Sequence, residues 1–260
     1  MLVQDITSSL AQATDFASQA LNAQVKRQQQ LVLRFSDYNR EQQLRLTQLC
    51  QQLDGVVLAS TEQLTVLLNQ TAGRQLTHQW SRVFTDQATT QIQLTQIMKQ
   101  YDVFWQAGEH RFNLTKKPMI YGIMNITPDS FFDGGQYKTK DDVLNHVDAM
   151  LQAGADVIEV NGQTTRQGFT EVTPQVELDR TLPYIRAIKA RFPEAVLAVD
   201  TYKYDVMQAV LEEGVSIIND VNAFTDDPRK LKLMADSRVG LLTMHSSRDQ
   251  EYTDLTSSMR

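Results

Sequence analysis

The sequence predicts an α/β fold: about five parallel strands alternating with helices over residues 118–260, preceded by an all-α region over residues 1–112. Three observations carry this reading. The texture of the chain changes at Lys117–Pro118. Beyond that point, short apolar runs alternate with stretches of helical character. Before it, apolar residues recur at three- and four-residue spacing with few breaker residues between them.

Residues 1–112 contain no proline and only three glycines, Gly55, Gly73 and Gly108, so little interrupts a helix there. Leu31, Phe35 and Tyr38 follow the helical rhythm, and Leu44, Leu46, Leu49 and Leu53 follow it less tidily. Leu64, Leu67 and Leu68 continue it, then Ile92, Leu94, Ile97 and Met98. The pattern predicts three or four helices, with breaks near Asp54–Gly55 and Thr71–Gly73. Nine Lys/Arg face nine Asp/Glu here, so this Gln-rich region is electrically neutral and reads as a packing or partner surface. His78 and Trp80 stand alone and read as structural.

After Pro118 the apolar runs are Met119–Met124, Val157–Val160, Val196–Val199, Val215–Ile218 and Gly240–Met244. Between them lie the predicted helices Asp141–Gln152, Pro174–Arg191, Asp205–Glu213 and Pro228–Ala235. The punctuation agrees. Thr139 and Asp142 have capping-box spacing, and Gly154 and Gly214 stand where helices end. Thr173–Pro174 is a cap followed by proline at the first helical position.

Composition narrows the function classes. A 260-residue chain that is 42% hydrophobic can bury one large core or two small ones. A net charge of −6 and a pI near 5.2 argue against a nucleic-acid partner. A single cysteine, Cys50, rules out an intrachain disulfide or a cysteine metal cluster. The N-terminus lacks signal-peptide character, and no apolar stretch reaches membrane-spanning length. The expectation is a cytoplasmic protein with no membrane partner.

Each apolar run ends in a polar residue: Asn125, then Glu159 and Asn161, then Asp200, Asn219–Asp220 and His245. Parallel strands bring their C-terminal ends to one side of a sheet, the side that carries active sites in β/α barrels. Amides and carboxylates gathered there suit a nitrogen heterocycle with alternating donors and acceptors. No Ser-His-Asp elbow and no HExxH is present.

The residues also carry a family likeness. Gly122–Gly135, Gly-Ile-Met-Asn-Ile-Thr-Pro-Asp-Ser-Phe-Phe-Asp-Gly-Gly, resembles the first-strand and loop-one signature of dihydropteroate synthases, folate-pathway enzymes that join a pterin to p-aminobenzoate. Asp156–Gly168 is similar to their second strand and loop two. Ala198–Lys203, Ile217–Asp220 and Leu242–His245 follow in matching order. The resemblance implies an incomplete TIM-type (β/α) barrel and a transferase that condenses 6-hydroxymethyl-7,8-dihydropterin pyrophosphate with p-aminobenzoate, releasing pyrophosphate.

It also implies residue roles. Asn125 would help hold a Mg²⁺ at the pyrophosphate, and with Arg166 it would serve catalysis. Asp200 and Asn219 would bind the pterin ring. Thr165 and Arg166 would contact p-aminobenzoate or pyrophosphate. Asp129, Phe131 and Asp133 lie in loop one, which the family orders over its substrates. Plainer readings exist: Asp200 as a helix cap, Arg166 paired with Glu171, Asp133 as a turn residue, His245 as cavity wall.

Departures from the family pattern sit mainly in loop two. Members usually carry Asp at Glu159, Gly at Asn161, Glu at Gln163, Ser at Thr164 and Pro at Gln167. The family's later strands, with a further Asp, a Ser-Arg-Lys and a terminal Arg and His, do not appear before Arg260. The reading therefore expects a piece of a longer protein, a homodimer or completing chain, or the alternative of a truncated, non-catalytic pterin-binding or interaction protein.

Overall fold

The computed structural model describes residues 1–12, 14, 18, 19, 22, 23, 25, 26, 30–60, 62–126, 139–163 and 170–245. Its two compact units are residues 1–102 and 103–260.

The first unit is not all-α. In chain order it holds β1 (Leu2–Asp5), β2 (Gln30–Ser36), α1 (Arg40–Gln52), β3 (Val56–Ala59), β4 (Leu64–Asn69), α2 (Gln70–Val83) and α3 (Ala88–Gln100). The four strands form an antiparallel sheet in the order β1-β2-β4-β3. The stretches around Leu31–Phe35 and Leu64–Leu68, expected as helices, are its two central strands. Leu31, Leu33 and Phe35 alternate with period two and bury one face with Leu64, Val66 and Leu68, against Leu46, Leu76, Trp80 and Leu94 of the helices. Val32 and Leu67 point the other way, onto Ile6, Leu10 and Val25. A four-residue spacing such as Leu31–Phe35 satisfies both a strand and a helix, which is how the period misled.

The expected helices over Leu44–Leu53 and Ile92–Met98 are α1 and α3. The break at Asp54–Gly55 is real, with Asp54 at φ 55° between α1 and β3. The break at Thr71–Gly73 is not: those residues form the first turn of α2, capped by Asn69, whose Oδ1 accepts from the Ala72 amide at 2.8 Å. Gly73 is there for close approach. A Cβ would stand 2.8 Å from Leu31 Cδ2 and 3.0 Å from Met98 Sδ. Trp80 is fully buried between Phe35 and Phe84, with ring centroids at 5.8 and 4.4 Å. Burial pushes the Cys50 thiol up to about 12, so it is a core residue and not a nucleophile.

The second unit begins with the hairpin β5 (Phe104–Ala107) and β6 (His110–Asn113). Then β7 (Tyr121–Asn125), α4 (Lys140–Gln152), β8 (Val157–Asn161), α5 (Pro174–Arg191) and β9 (Leu197–Asp200) follow. The described part closes with α6 (Tyr204–Glu212), β10 (Ile217–Asp220), α7 (Pro228–Ser237) and β11 (Gly240–Thr243). The five predicted runs are five parallel strands in the order β11-β10-β9-β8-β7, each beside its sequence neighbour. Ile158, Val160, Val199 and Ile218 on one face pack against the helices, through residues such as Val147, Ile185 and Val210. On the other, inner face, Val157, Ala198 and Ile217 pack on Ala107, Trp105 and Phe112 of the hairpin. The hairpin thus covers the lower part of that face and leaves the C-terminal strand ends for a site.

The predicted punctuation is present: the Thr139–Asp142 capping box, Thr173 with Pro174, and Gly154 and Gly214 at φ 99° and 77° closing their helices. Among the described residues no helix is long and apolar enough to cross a membrane.

Candidate functional site

Register places the predicted residues. Asn125 stands beside Asn161, Glu159 beside Ala198, and Asp200 beside Asn219. Because side chains alternate along a strand, Glu159 and Asn161 share the inner face with Val157. Asn125, Asp200 and Asn219 join them through the register. The structure thus brings three of the predicted residues, Asn125, Asp200 and Asn219, to one mouth above the hairpin. Thr165 and Arg166, like Asp129, Phe131 and Asp133, lie outside the described residues. His245 follows β11 and is exposed.

The mouth is a hydrogen-bonded network. Asn161, 5% exposed, donates from Nδ2 to Asn125 Oδ1 at 3.2 Å and to Glu159 Oε1 at 3.1 Å. Its Oδ1 accepts the Asp200 backbone N–H at 3.1 Å. Asn219 Nδ2 donates to Glu159 Oε2 at 3.3 Å. Glu159 is itself buried, so its two oxygens each orient one amide where water does not compete. With Nδ2 turned to Glu159, Asn219 has its carbonyl oxygen to offer a ligand as an acceptor. Tyr121 lies lower on the same face. Burial, then the charge of Glu159, pushes its phenol up to about 12, so it is neutral at pH 7.

Asp220 separates from this group. It is fully buried, and its carboxylate accepts from the Asn222 and Phe224 amides at 2.8 and 3.1 Å and from Lys230 Nζ at 3.0 Å. It holds the turn in which Ala223 and Phe224 adopt φ of 52° and 59°. Its task is structural.

Three polar neighbours of the mouth were not given a role by the sequence reading. Glu159 appears there as a strand end and as a departure from the family's Asp, not as an organiser, and its two amide partners come from 2 and 60 residues away. Lys203 and Glu177 form a buried ion pair at 2.6 Å beside the start of the β8–α5 connection, with side-chain exposures of 8% and 1%. The one available signal was Lys203 inside the matched Ala198–Lys203 stretch.

The family model described as "Pterin binding enzyme" matches residues 121–260, more than half of the chain. The chain belongs to the pterin binding enzyme family. Among curated pterin binding relatives, the dihydropteroate synthase of Streptococcus pyogenes is 40% identical over 146 residues, 56% of this chain and 54% of that protein. That of Clostridium beijerinckii is 38% identical over 148 residues, 57% and 55% of the two chains. This chain spans about half the length of the curated relatives it matches. Among solved structures, Yersinia pestis dihydropteroate synthase in a sulfonamide drug complex superposes with a TM-score of 0.54 at 34% identity, covering 60% of this chain and 58% of that one. Xanthomonas albilineans dihydropteroate synthase with 4-aminobenzoic acid gives 0.53 at 35% identity, covering 60% and 56%.

A hard cation fits this pterin-family mouth in one respect. Asn125 supplies a carbonyl oxygen, already accepting one hydrogen bond, of the hard-donor type such an ion prefers. Among the described residues no group of three or more His, Cys, Asp or Glu gathers to hold an ion by protein ligands alone.

Proposed function

We propose that this chain carries the pterin-binding face of a dihydropteroate synthase, joining 6-hydroxymethyl-7,8-dihydropterin pyrophosphate to p-aminobenzoate. The observation that carries the proposal is the network uniting Asn125, Asp200 and Asn219 with Glu159 and Asn161 at the strand ends. Relatives at 38–40% identity named dihydropteroate synthase support it.

In this reading the Asp200 carboxylate accepts N–H groups from the 2-amino-pyrimidine edge of the pterin, and Asn219 presents its carbonyl to a neighbouring donor. Asn125 faces the pyrophosphate, and a Mg²⁺ held by its oxygen and the substrate's phosphates would offset the charge of the leaving group. The C–O bond to pyrophosphate breaks, the leaving group taking the electron pair. The aniline nitrogen of p-aminobenzoate then forms the C–N bond and loses a proton. Thr165 and Arg166, following Gln163 in the chain, would hold p-aminobenzoate or the departing pyrophosphate. Catalysis is therefore positioning and stabilisation of separated charge.

The test is direct. The full-length gene product, given both substrates and Mg²⁺, should form 7,8-dihydropteroate and pyrophosphate. Absence of product would contradict the synthase reading. Pterin binding without turnover would favour the non-catalytic relative, an outcome that the altered loop two makes worth measuring.

A further inference from the structure

The connection between β8 and α5 is held at its stem by a buried polar cluster outside the pterin network. Gln163, 5% exposed, accepts on Oε1 from the Val172 backbone N–H at 3.0 Å and from Lys203 Nζ. Its Nε2 donates to the Tyr202 hydroxyl at 2.9 Å. Lys203 Nζ also donates to Glu177 Oε2, in the first turn of α5, at 2.6 Å. Glu177 Oε1 is buried with no hydrogen-bond partner among the described residues, so Lys203 is the cation that keeps this carboxylate compensated.

Gln163 and Val172, nine residues apart in the chain, are thus tied together by the Gln163 amide oxygen. Lys203 reaches that oxygen from the segment that follows Asp200. We propose that Lys203 and Gln163 are positioning residues: they lock the two described ends of the β8–α5 connection, Gln163 and Val172, to the Asp200 strand end. They thereby fix the chain on both sides of the segment that, in the synthase reading, serves p-aminobenzoate. The inference rests on the synthase reading for its kinetic consequence, but the clamp itself does not. An ion pair with both partners buried gains directional hold from the low dielectric around it. The cluster also explains why loop two accepts glutamine here: an amide keeps the acceptor for both Val172 and Lys203, and Glu177 alone balances the lysine charge.

Two substitutions in the full-length gene product separate the cases. Gln163→Leu removes the shared acceptor without leaving a new charge, whereas Gln163→Glu keeps an acceptor for both donors. In Gln163→Leu the Val172 amide should exchange with solvent at least about tenfold faster, and KM for p-aminobenzoate should rise about tenfold. Its dissociation constant for the pterin pyrophosphate should stay within about twofold of the parent, and Gln163→Glu should resemble the parent in all three measures. The double variant Lys203→Met/Glu177→Gln, which deletes both charges together, should reproduce the Gln163→Leu pattern. Unchanged Val172 exchange, or equal loss of affinity for both substrates, overturns the proposal. If the parent makes no product, the synthase reading fails, while Val172 exchange still decides whether the clamp exists.

Discussion

The side-chain amides of Asn161 and Asn219 both donate to the buried carboxylate of Glu159, which makes one acidic residue the organiser of two others. Asn125, Asp200 and Asn219 were legible in the sequence because each ends an apolar run inside a matched motif. Glu159 was legible as polar but not as an organiser, since its partners lie on its own and a distant strand. A second carboxylate shows residue-level electrostatics with a definite sign. Burial pushes the Asp156 carboxyl up, but hydrogen bonds from Lys117 Nζ at 2.6 Å and from the Ile120 amide, with the lysine charge, hold it below the usual range. A lowered folded-state pKa contributes stability above the unfolded value of about 3.9 and loses it as pH falls through the folded value. Asp156→Asn should therefore cost about 1 kcal/mol at pH 7, with the difference from wild type closing below about pH 4 in denaturant titrations.

At the scale of elements, the five parallel strands and four helices of the second unit follow from runs of four to six apolar residues bounded by caps, where period and punctuation agree. The first unit shows why that agreement is needed. Gln30–Ser36 and Leu64–Asn69 have the lengths of strands, but neither is bounded by proline or glycine, and a Leu–Phe spacing of four fits either structure. Leu33 discriminates between them. On a helix whose buried stripe holds Leu31, Phe35 and Tyr38 it would face solvent; in β2 it is fully buried between β1 and β4. Leu33→Asp should therefore destabilise the first unit by at least about 3 kcal/mol, measured by chemical denaturation. A loss below about 0.5 kcal/mol, as at a surface position, would contradict the sheet.

At the scale of the molecule, the parallel sheet of the second unit has β7 and β11 as its edges among the described residues. Ile123, on the inner face of the β7 edge, is 55% exposed, and Leu241 and Met244 at the other edge are 37% and 41% exposed. A parallel edge with apolar neighbours is a template for pairing with another strand. The 260-residue chain should associate as its concentration rises, and Ile123→Lys should weaken that association in sedimentation velocity. A chain monomeric at all concentrations would argue that the edge is covered. The length of the barrel match was readable from the motifs, whereas the antiparallel sheet of the first unit was not, because its β1–β2 and β2–β4 pairings span 28 to 39 residues of sequence.

The claim that Asp200 faces the pterin from the common mouth is tested most directly by titrating the full-length gene product with the pterin pyrophosphate in the presence of Mg²⁺. Asp200→Asn should weaken binding by about 10- to 100-fold, the loss of one charge-assisted contact, while the melting temperature stays within a few degrees. Unchanged affinity in Asp200→Asn, with wild-type protein binding normally, would contradict the account.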